Sequence, residues 1–280
     1  MSNQVAIVTD STASLPEQLA QQWGIKVVQL QLLVDEETND ENRYDRHELA
    51  TALRAGRRVA TFPPDPGAFF WAYQEAASAG ASAVVSLHIS GRMSATVHAA
   101  RQAAQQVRIP VHIMDSQTTG MSLGFAVLSA ARAAGAGAQA DRVLEAAAHR
   151  FRHSTELLYV DTLEYLRRGG RIGAAAHLIG NAFSIKPLLT VRDGEVAPLS
   201  RVAGATRALS RLIELSVARA GSRQVELAVS HFLQNGRERQ VAEQLRHRLP
   251  NVRDLVIAEV STVVGAHVGP GALSVTVSPV

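Results

Sequence analysis

The hydrophobic positions in the first half of the chain fall into short apolar runs separated by longer helical stretches. Residues 5–8, 83–87 and 111–114 are mainly apolar runs of strand length, and helices are predicted over residues 66–79 and 94–107. Apolar strands that alternate with helices are typical of a parallel sheet covered on both faces. The pattern therefore predicts an N-terminal α/β domain of three layers (α/β/α) with a mainly parallel sheet.

Three further elements are predicted near the N-terminus. Ser14 is typical of a helix N-cap, and the helix is expected to end near Trp23. One strand is predicted over residues 27–34, followed by an acidic loop over residues 35–45 and a helix over residues 46–53.

The second half continues the alternation and adds a hairpin signal. Asp193-Gly194 lies between two apolar runs, and Asp-Gly is a preferred pair in two-residue hairpin turns. An antiparallel pair here predicts a second α/β domain with a mixed sheet. The remaining elements predicted in this half are strands over 157–160, 188–191, 196–199, 225–229, 256–260 and 273–277 and helices over 141–151, 163–167, 174–183, 205–220 and 237–248. We place the boundary near residue 155, which gives domains 1–155 and 156–280.

The composition is that of a globular protein, with 280 residues of which 46% are hydrophobic and 19% charged. No apolar run approaches the ~20 residues that a membrane-spanning helix needs, so no stable membrane insertion is expected. The chain has no cysteine, which excludes disulfides and thiolate metal sites. Met1 to Val5 lead into a strand without a basic region, so the expected location is cytoplasmic.

Charge and motifs exclude several classes of function. The net charge is only +3 and aromatic residues make up 5%, so no nucleic-acid partner is expected. The sequence contains no phosphate-binding loop, no dinucleotide-binding glycine motif and no nucleophile elbow. The histidines do not cluster with carboxylates at metal-ligand spacing. We therefore predict no cofactor, no metal and no catalytic residue.

The segment Gly265–Ala272 is the most informative one for function. It is predicted as a loop between two strands, and its three glycines and one proline surround His267. Glycines let the backbone approach a ligand closely, and an imidazole can donate a hydrogen bond or a positive charge at neutral pH. We expect this loop to form half of a binding site.

Two hydroxyl-bearing loops are candidates for the other half. Thr61 lies shortly before the predicted helix start at Asp65-Pro66, and Ser94 lies between a strand and its following helix. Ligands of α/β sheets bind where the strands end and helix N-termini point, so both hydroxyls suit an anion. For either residue taken alone, a helix cap is the favoured explanation.

Three other segments have two explanations each. Asp10-Ser11 and Asp115-Ser116 both follow strands, and they either face the ligand or close turns through their own side chains. The segment Arg167–Arg171 has two glycines between its arginines. It either directs a guanidinium at an anion or ends a helix with favourable cations and a glycine.

Seven segments in this order resemble the DegV family of fatty-acid-binding proteins, whose members act as the acyl-binding subunit of bacterial fatty acid kinase. The segments are Val8–Thr12, Thr61–Pro64, Ile89–Thr96, Asp115-Ser116, Leu166–Ile172, Ile185–Pro187 and Gly265–Ala272.

The resemblance implies two α/β domains with an acyl chain buried between or beneath them. It implies that Thr61, Ser94 and His267 hold the carboxylate. Secondary contacts are expected from Thr96, Arg171, Ser11 and Ser116. The chain departs from the family pattern at Phe62, Pro63, Gly91, Ala95 and Ala266, so its head-group site is expected to be less polar than usual.

The function that this resemblance implies is that of a carrier. The protein is expected to bind a long-chain fatty acid and to present its carboxylate to a separate ATP-dependent kinase, without catalysis of its own. The arginines at 167–171 are the candidate docking surface for the kinase. Two alternatives stay open: a stand-alone enzyme on a small anionic metabolite with His267 as acid/base, and a lipid-sensing regulatory protein.

Overall fold

The computed structural model of the protein describes residues 4–178 and 185–280. Its strands are β1 (Val5–Asp10), β2 (Lys26–Val28), β3 (Gln31–Val34), β4 (Glu37–Asp40), β5 (Val59–Phe62), β6 (Ala83–His88), β7 (Val111–Asp115), β8 (Thr155–Tyr159), β9 (Ile185–Arg192), β10 (Glu195–Ala203), β11 (Val225–His231), β12 (Val252–Glu259) and β13 (Leu273–Pro279). Its α-helices are α1 (Glu17–Gln22), α2 (Arg46–Arg54), α3 (Pro66–Ser78), α4 (Thr96–Ala104), α5 (Gly120–Gly135), α6 (Ala140–His153), α7 (Glu164–Arg168), α8 (Ala205–Ala220), α9 (Arg237–Arg248) and α10 (Thr262–Val268). Short 3-10 helices cover Ser11–Ala13, Glu41–Arg43 and Gly173–Leu178.

The N-terminal sheet is parallel, as the alternation of apolar runs and helices predicts. Its strand order is β2-β1-β6-β7, and every pairing in it is parallel. Helices α3 and α4 pack on one face, and α5 and α6 pack on the other. The carboxyl ends of β1 and β6 therefore lie at one edge, where the following segments can reach a ligand.

The C-terminal sheet is mixed, with the order β10-β9-β8-β13-β11-β12. Its pairings are antiparallel apart from β11 with β12. The predicted hairpin is confirmed: Asp193 and Gly194 both have positive φ, 52° and 80°, as a type I′ turn between β9 and β10 requires.

Helix α5 belongs to both halves of the molecule. It contacts β1 and β6 on one side and β8, β11 and β13 on the other, while α8 and α9 cover the outer face of the mixed sheet. The layers are therefore α3/α4, parallel sheet, α5/α6, mixed sheet and α8/α9, which confirms the predicted α/β architecture. The division at residue 155 stays a prediction; β8 begins at Thr155.

The prediction of one strand over residues 27–34 is wrong. Strand β2 belongs to the parallel sheet, whereas β3 pairs antiparallel with β4 and β5 in a separate three-stranded sheet. The chain leaves the first sheet at Leu30, whose N–H donates to Ser11 Oγ and whose carbonyl accepts from the Glu41 N–H. The acidic segment, predicted as a loop, contains β4 because it completes this small sheet.

The helix predicted over residues 174–183 is observed only in part. A 3-10 helix covers Gly173–Leu178, and the remaining predicted residues lie outside the described ones. Among the helices that the structure describes, none is long and apolar enough to cross a membrane.

Candidate functional site

A cavity lies where the carboxyl edge of the parallel sheet meets the inner face of the mixed sheet. Its empty space is about 980 Å³, a value that includes the open solvent at its mouth. The lining is mainly aliphatic and includes Leu30, Ile89, Leu158, Leu166, Val191, Val260, Val263 and Leu273. Phe62 also lines the cavity and is 43% exposed, which places the opening beside β5.

Thr61, Ser94 and His267 all line this cavity, as the sequence predicts. Thr61 lies in strand β5 and not in the predicted loop, because β5 pairs with β3 and places Thr61 opposite Leu32. Its Oγ1 lies 2.8 Å from His267 Nε2. The structure thus joins two residues that are 206 positions apart in the sequence.

His267 lies in the short helix α10, so the prediction that Gly265–Ala272 is a loop is wrong in its first half. Buried polar groups fix the start of this helix. Ser261 caps it by accepting a hydrogen bond from the Val264 N–H, and Glu41 accepts another from the Val263 N–H at 2.8 Å. The Ser261 N–H donates to Ser14 Oγ at 3.1 Å. These contacts hold α10, and with it the imidazole, at the cavity wall.

The glycines around His267 approach protein side chains, which corrects the expectation that they make room for a ligand. A Cβ at Gly265 would lie 2.4 Å from the Phe232 ring, and one at Gly269 would lie 2.0 Å from Tyr165. Gly269 also has a φ of 78°, which favours glycine. The glycines therefore allow α10 to pack closely against the protein.

The imidazole of His267 packs on Gly169, where a Cβ would lie 2.0 Å from Nδ1. Nδ1 is buried and has no hydrogen-bond partner among the described residues. A proton on Nδ1 would lack an acceptor, so the tautomer with the proton on Nε2 is favoured. Nε2–H then donates to Thr61 Oγ1, and the Thr61 hydroxyl proton is free to donate to a ligand.

Burial and the nearby charge of Arg171 lower the pKa of His267 from 6.5 to about 4. The ring is therefore neutral at neutral pH in the ligand-free protein. This corrects the expectation that His267 supplies a positive charge there; the hydrogen-bonding role remains available.

Arg171 supplies the positive charge at this end of the cavity. It lines the cavity, and its Nε and Nη1 donate to the carbonyls of Met93 and Gly169 at 3.1 and 2.8 Å. No carboxylate pairs with it within residues 4–178 and 185–280. A carbonyl-anchored guanidinium without an ion pair suits an anionic ligand.

The side chains of Ser94 and Thr96 form a hydrogen-bonded pair. Their hydroxyl oxygens lie 2.8 Å apart, and Ser94 Oγ accepts a hydrogen bond from the Thr96 N–H at 3.3 Å. Ser94 faces the cavity at the start of α4, so it contributes to the first turn of the helix and remains available to a ligand. Thr96 is fully buried behind it and does not line the cavity.

Ser11 and Ser116 do not line the cavity, which corrects their assignment as secondary contacts. Ser11 Oγ donates to the buried carboxylate of Glu41 and accepts from Leu30. Ser116 closes a turn, since its Oγ accepts from the Thr118 N–H at 3.2 Å. Asp115-Ser116 is therefore turn-forming, whereas in the first pair only Asp10 closes a turn, by accepting from the Thr12 N–H.

The segment Arg167–Arg171 combines both of its explanations. Arg167 and Arg168 pair with Glu164 at the end of α7 and, chiefly by hydrogen bonding, lower its pKa to about 2. Gly169 ends the helix. Beyond it, only Arg171 of these arginines lines the cavity.

A chain of buried side chains resembles a nucleophile triad in geometry. His88 lies 3.0 Å from Asp10 Oδ2 and 2.7 Å from Ser86 Oγ, and Ser86 Oγ lies 2.9 Å from the Tyr73 hydroxyl. All four residues are fully buried and none of them lines the cavity. A sealed serine cannot reach a substrate, so this chain is structural.

Sequence reasoning did not identify a second group of polar residues on the cavity wall. Glu156, Thr190, Ser230 and Ser274 line the cavity from β8, β9, β11 and β13. A polar residue at an inward position of a strand is a signal that could have found them. Among the described residues no group of histidine and carboxylate side chains is arranged to hold a metal ion.

The model of the DegV family, described as "Uncharacterised protein, DegV family", matches residues 4–280. A DegV domain-containing protein of Streptomyces coelicolor is 43% identical over 99% of both chains. One of Mycobacterium bovis is 35% identical over 98% of this chain and 96% of its own.

Solved structures agree with these sequence matches. A fatty-acid-binding DegV family protein from Thermus thermophilus superposes with a TM-score of 0.93 at 28% identity, over 99% of this chain and 100% of that one. DegV of Bacillus subtilis, described as a fatty acid binding protein, has a TM-score of 0.89 at 27% identity over the whole of both chains. The chain therefore belongs to the DegV family.

Proposed function

We propose that the protein binds a long-chain fatty acid in this cavity and presents its carboxylate to a separate ATP-dependent kinase. The observation that carries the proposal is that the cavity wall has an aliphatic part and a separate polar part. An aliphatic lining leads to a group formed by Thr61, Ser94, His267 and Arg171, in which two hydroxyls, a neutral imidazole and an unpaired guanidinium come together. A ligand with a long apolar part and one anionic end matches the aliphatic lining and this polar group.

The apolar part provides most of the affinity. About fifteen methylenes at ~0.8 kcal/mol each give ~12 kcal/mol gross. Immobilisation of the ligand removes several kcal/mol of this. The head-group residues then determine which end of the chain lies beside β5, where Phe62 marks the opening.

Two relatives support fatty-acid binding, since the Thermus and Bacillus proteins with the same fold are described as fatty-acid-binding. The sequence lacks a phosphate-binding loop, so ATP is assigned to a partner. In the step proposed, a carboxylate oxygen of the bound acid attacks the γ-phosphorus of ATP. The bond between that phosphorus and the β,γ-bridging oxygen breaks, giving an acyl phosphate and ADP. This assignment includes a cytoplasmic location.

The test combines lipid identification with a coupled assay. Native mass spectrometry of the purified protein is expected to show a co-purifying species of fatty-acid mass. Acyl phosphate is expected only when kinase, ATP and this protein are all present. Ser94→Ala should weaken acyl binding, whereas Ser210→Ala, at an exposed serine of α8, is the matched control. No acyl ligand and no binding of added fatty acid would refute the proposal.

The assay also separates the two alternatives. A lipid-sensing regulator would bind the acid and support no phosphorylation. A stand-alone enzyme would turn over a small anionic substrate without a partner. With a pKa of about 4, His267 is unprotonated at neutral pH in the ligand-free protein, which disfavours a role as general acid.

A further inference from the structure

The cavity has a second polar region, distinct from the head-group residues. Glu156 on β8, Ser230 on β11 and Ser274 on β13 line it, and we call these three residues the deep polar cluster. Ser230 lies opposite Ser274 across the β11–β13 pair, and Glu156 lies opposite Thr276 across the β13–β8 pair. The cluster therefore occupies the central strands of the mixed sheet, whereas the head-group residues lie on β5, before α4, after α7 and in α10.

Ser230 is the member that the fold leaves unexplained. It is 1% exposed, and its Oγ has no hydrogen-bond partner among the described residues. A buried hydroxyl without a partner destabilises the folded protein, and an alanine at this position would avoid that cost. An unpaired hydroxyl on a cavity wall indicates a ligand group that pairs with it.

Glu156 is only partly explained by the fold. Its Oε2 accepts hydrogen bonds from the Ser122 N–H, Ser122 Oγ and Thr276 Oγ1 at 3.2, 2.9 and 2.7 Å, so this oxygen caps the first turn of α5. These three hydrogen bonds use Oε2, and the backbone carbonyl of Glu156 accepts another from Thr190 Oγ1. Burial raises the pKa of this carboxyl, against the opposing effect of the hydroxyls of Thr276, Ser274 and Ser122. A carboxyl oxygen has two lone pairs, so Oε1 can accept a hydrogen bond from a ligand hydroxyl.

The two polar regions use separate hydrogen bonds. The head-group contacts join Thr61 to His267, Ser94 to Thr96, and Arg171 to two carbonyls. The contacts of Glu156 involve only α5, β9 and β13. The rest of the lining is mainly aliphatic and comes from both halves of the molecule. Because both regions line the same cavity, a ligand whose carboxylate lay at Thr61 would face the deep polar cluster with a part of its chain remote from the carboxylate.

We propose that the deep polar cluster selects an acyl chain that carries a hydroxyl group in its distal half. The proposal rests on the proposed fatty-acid-binding function and specifies its ligand class. A ligand hydroxyl would accept a hydrogen bond from Ser230 Oγ beside Ser274, its cross-strand neighbour, so that the unpaired hydroxyl gains a partner. A saturated unsubstituted chain would cover the same groups with methylenes and leave Ser230 unpaired, and sites built to pair with a hydroxyl reject ligands that lack it.

The test compares ligands on delipidated protein by a competition assay with a fluorescent fatty acid. The panel contains hexadecanoic acid and its derivatives with a hydroxyl at C2, C10, C12, C14 or C16. At least one derivative with a distal hydroxyl is expected to bind about tenfold more tightly than the parent acid. The C2 derivative places its hydroxyl at the head group and is expected to show no such gain.

Ser230→Ala isolates the cluster. This variant is expected to bring the preferred hydroxy acid and the parent acid to similar affinity, without weakening the parent acid. Ser216→Ala is the matched control, because Ser216 is equally buried, lies on α8 and donates to the Leu212 carbonyl. It should retain the preference.

Each outcome has a distinct meaning. Equal affinity for the parent acid and all distal hydroxy acids would overturn the deep-cluster proposal and leave fatty-acid binding intact. A preference that survives Ser230→Ala would also overturn it. Failure to bind any acid on the panel would instead refute the proposed function on which it rests.

Discussion

The lowered pKa of His267 predicts that the protein loses stability in acid. Burial and the charge of Arg171 lower this pKa to about 4. In the unfolded chain the imidazole takes up a proton near pH 6.5. Between these values the unfolded state binds more protons than the folded one, so the free energy of unfolding falls as the pH falls. The full difference between 6.5 and about 4 corresponds to about 3 kcal/mol.

The perturbation is His267→Gln, which keeps a hydrogen-bond donor for Thr61 and cannot ionise. Urea unfolding of the delipidated wild type and variant is measured from pH 7.5 to pH 4. As the pH falls over this range, the unfolding free energy of the wild type should decrease relative to that of the variant by up to about 3 kcal/mol. Other titrating groups cancel in the difference. His98→Gln, at an exposed position of α4, is the control and should run parallel to the wild type.

Parallel curves for the wild type and His267→Gln would refute the assignment of a neutral, buried imidazole. The same residue should also report on the ligand. A carboxylate beside the ring raises its pKa, so acyl affinity of the wild type should rise relative to His267→Gln as the pH falls. A pH profile of binding that is identical in both proteins would limit His267 to packing.

Three further predictions follow from the head-group residues and the missing ATP motif. Ser94→Ala and Thr61→Val should each weaken acyl binding by about 1.5–3 kcal/mol, measured by titration calorimetry, and the double variant should lose less than the sum because both hydroxyls serve one carboxylate. Gly169→Ala should displace the His267 ring and lower acyl affinity, since the added Cβ would lie 2.0 Å from Nδ1. Gly135→Ala is the control and should not lower acyl affinity, because its Cβ would lie 3.7 Å from the Trp23 ring. The protein alone should not hydrolyse ATP, so robust ATPase activity in a partner-free preparation, measured by phosphate release, would contradict the carrier proposal.

The fold was largely predictable because its main signals are local. The parallel strands are mainly apolar runs, and Asp193-Gly194 specifies its hairpin through positive φ at both positions. Helix α5 is not marked by the sequence pattern, since a helix buried between two sheets is apolar on all sides and has no polar face to define its period. The break at Leu30 depends on Ser11 and Glu41, which only the folded chain brings beside it.

Three of the residues that line the cavity were identified from the sequence, whereas their geometry was not. Thr61, Ser94 and His267 were identified because each lies in a segment with unusual glycine, proline or hydroxyl content. Whether Thr61 lies in a loop or in β5 depends on pairing with β3, which no local pattern shows. The sequence of the strand that contains Ser230 predicts a core strand. The lining of an apolar cavity and the packing of a core use the same aliphatic side chains, so the sequence does not distinguish them.

The helical layer shared by both sheets determines how a ligand can be exchanged. Eleven of the sixteen residues of α5 are buried, including Met121, Leu123, Phe125 and Leu128. Exposure of these four side chains alone would cost roughly 6–12 kcal/mol, which is comparable to the whole stability of a domain. Separation of the two sheets is therefore comparable in cost to unfolding. Under the proposed function, an acyl chain would accordingly leave past Phe62 of β5, where the cavity opens, while both sheets stay packed on α5.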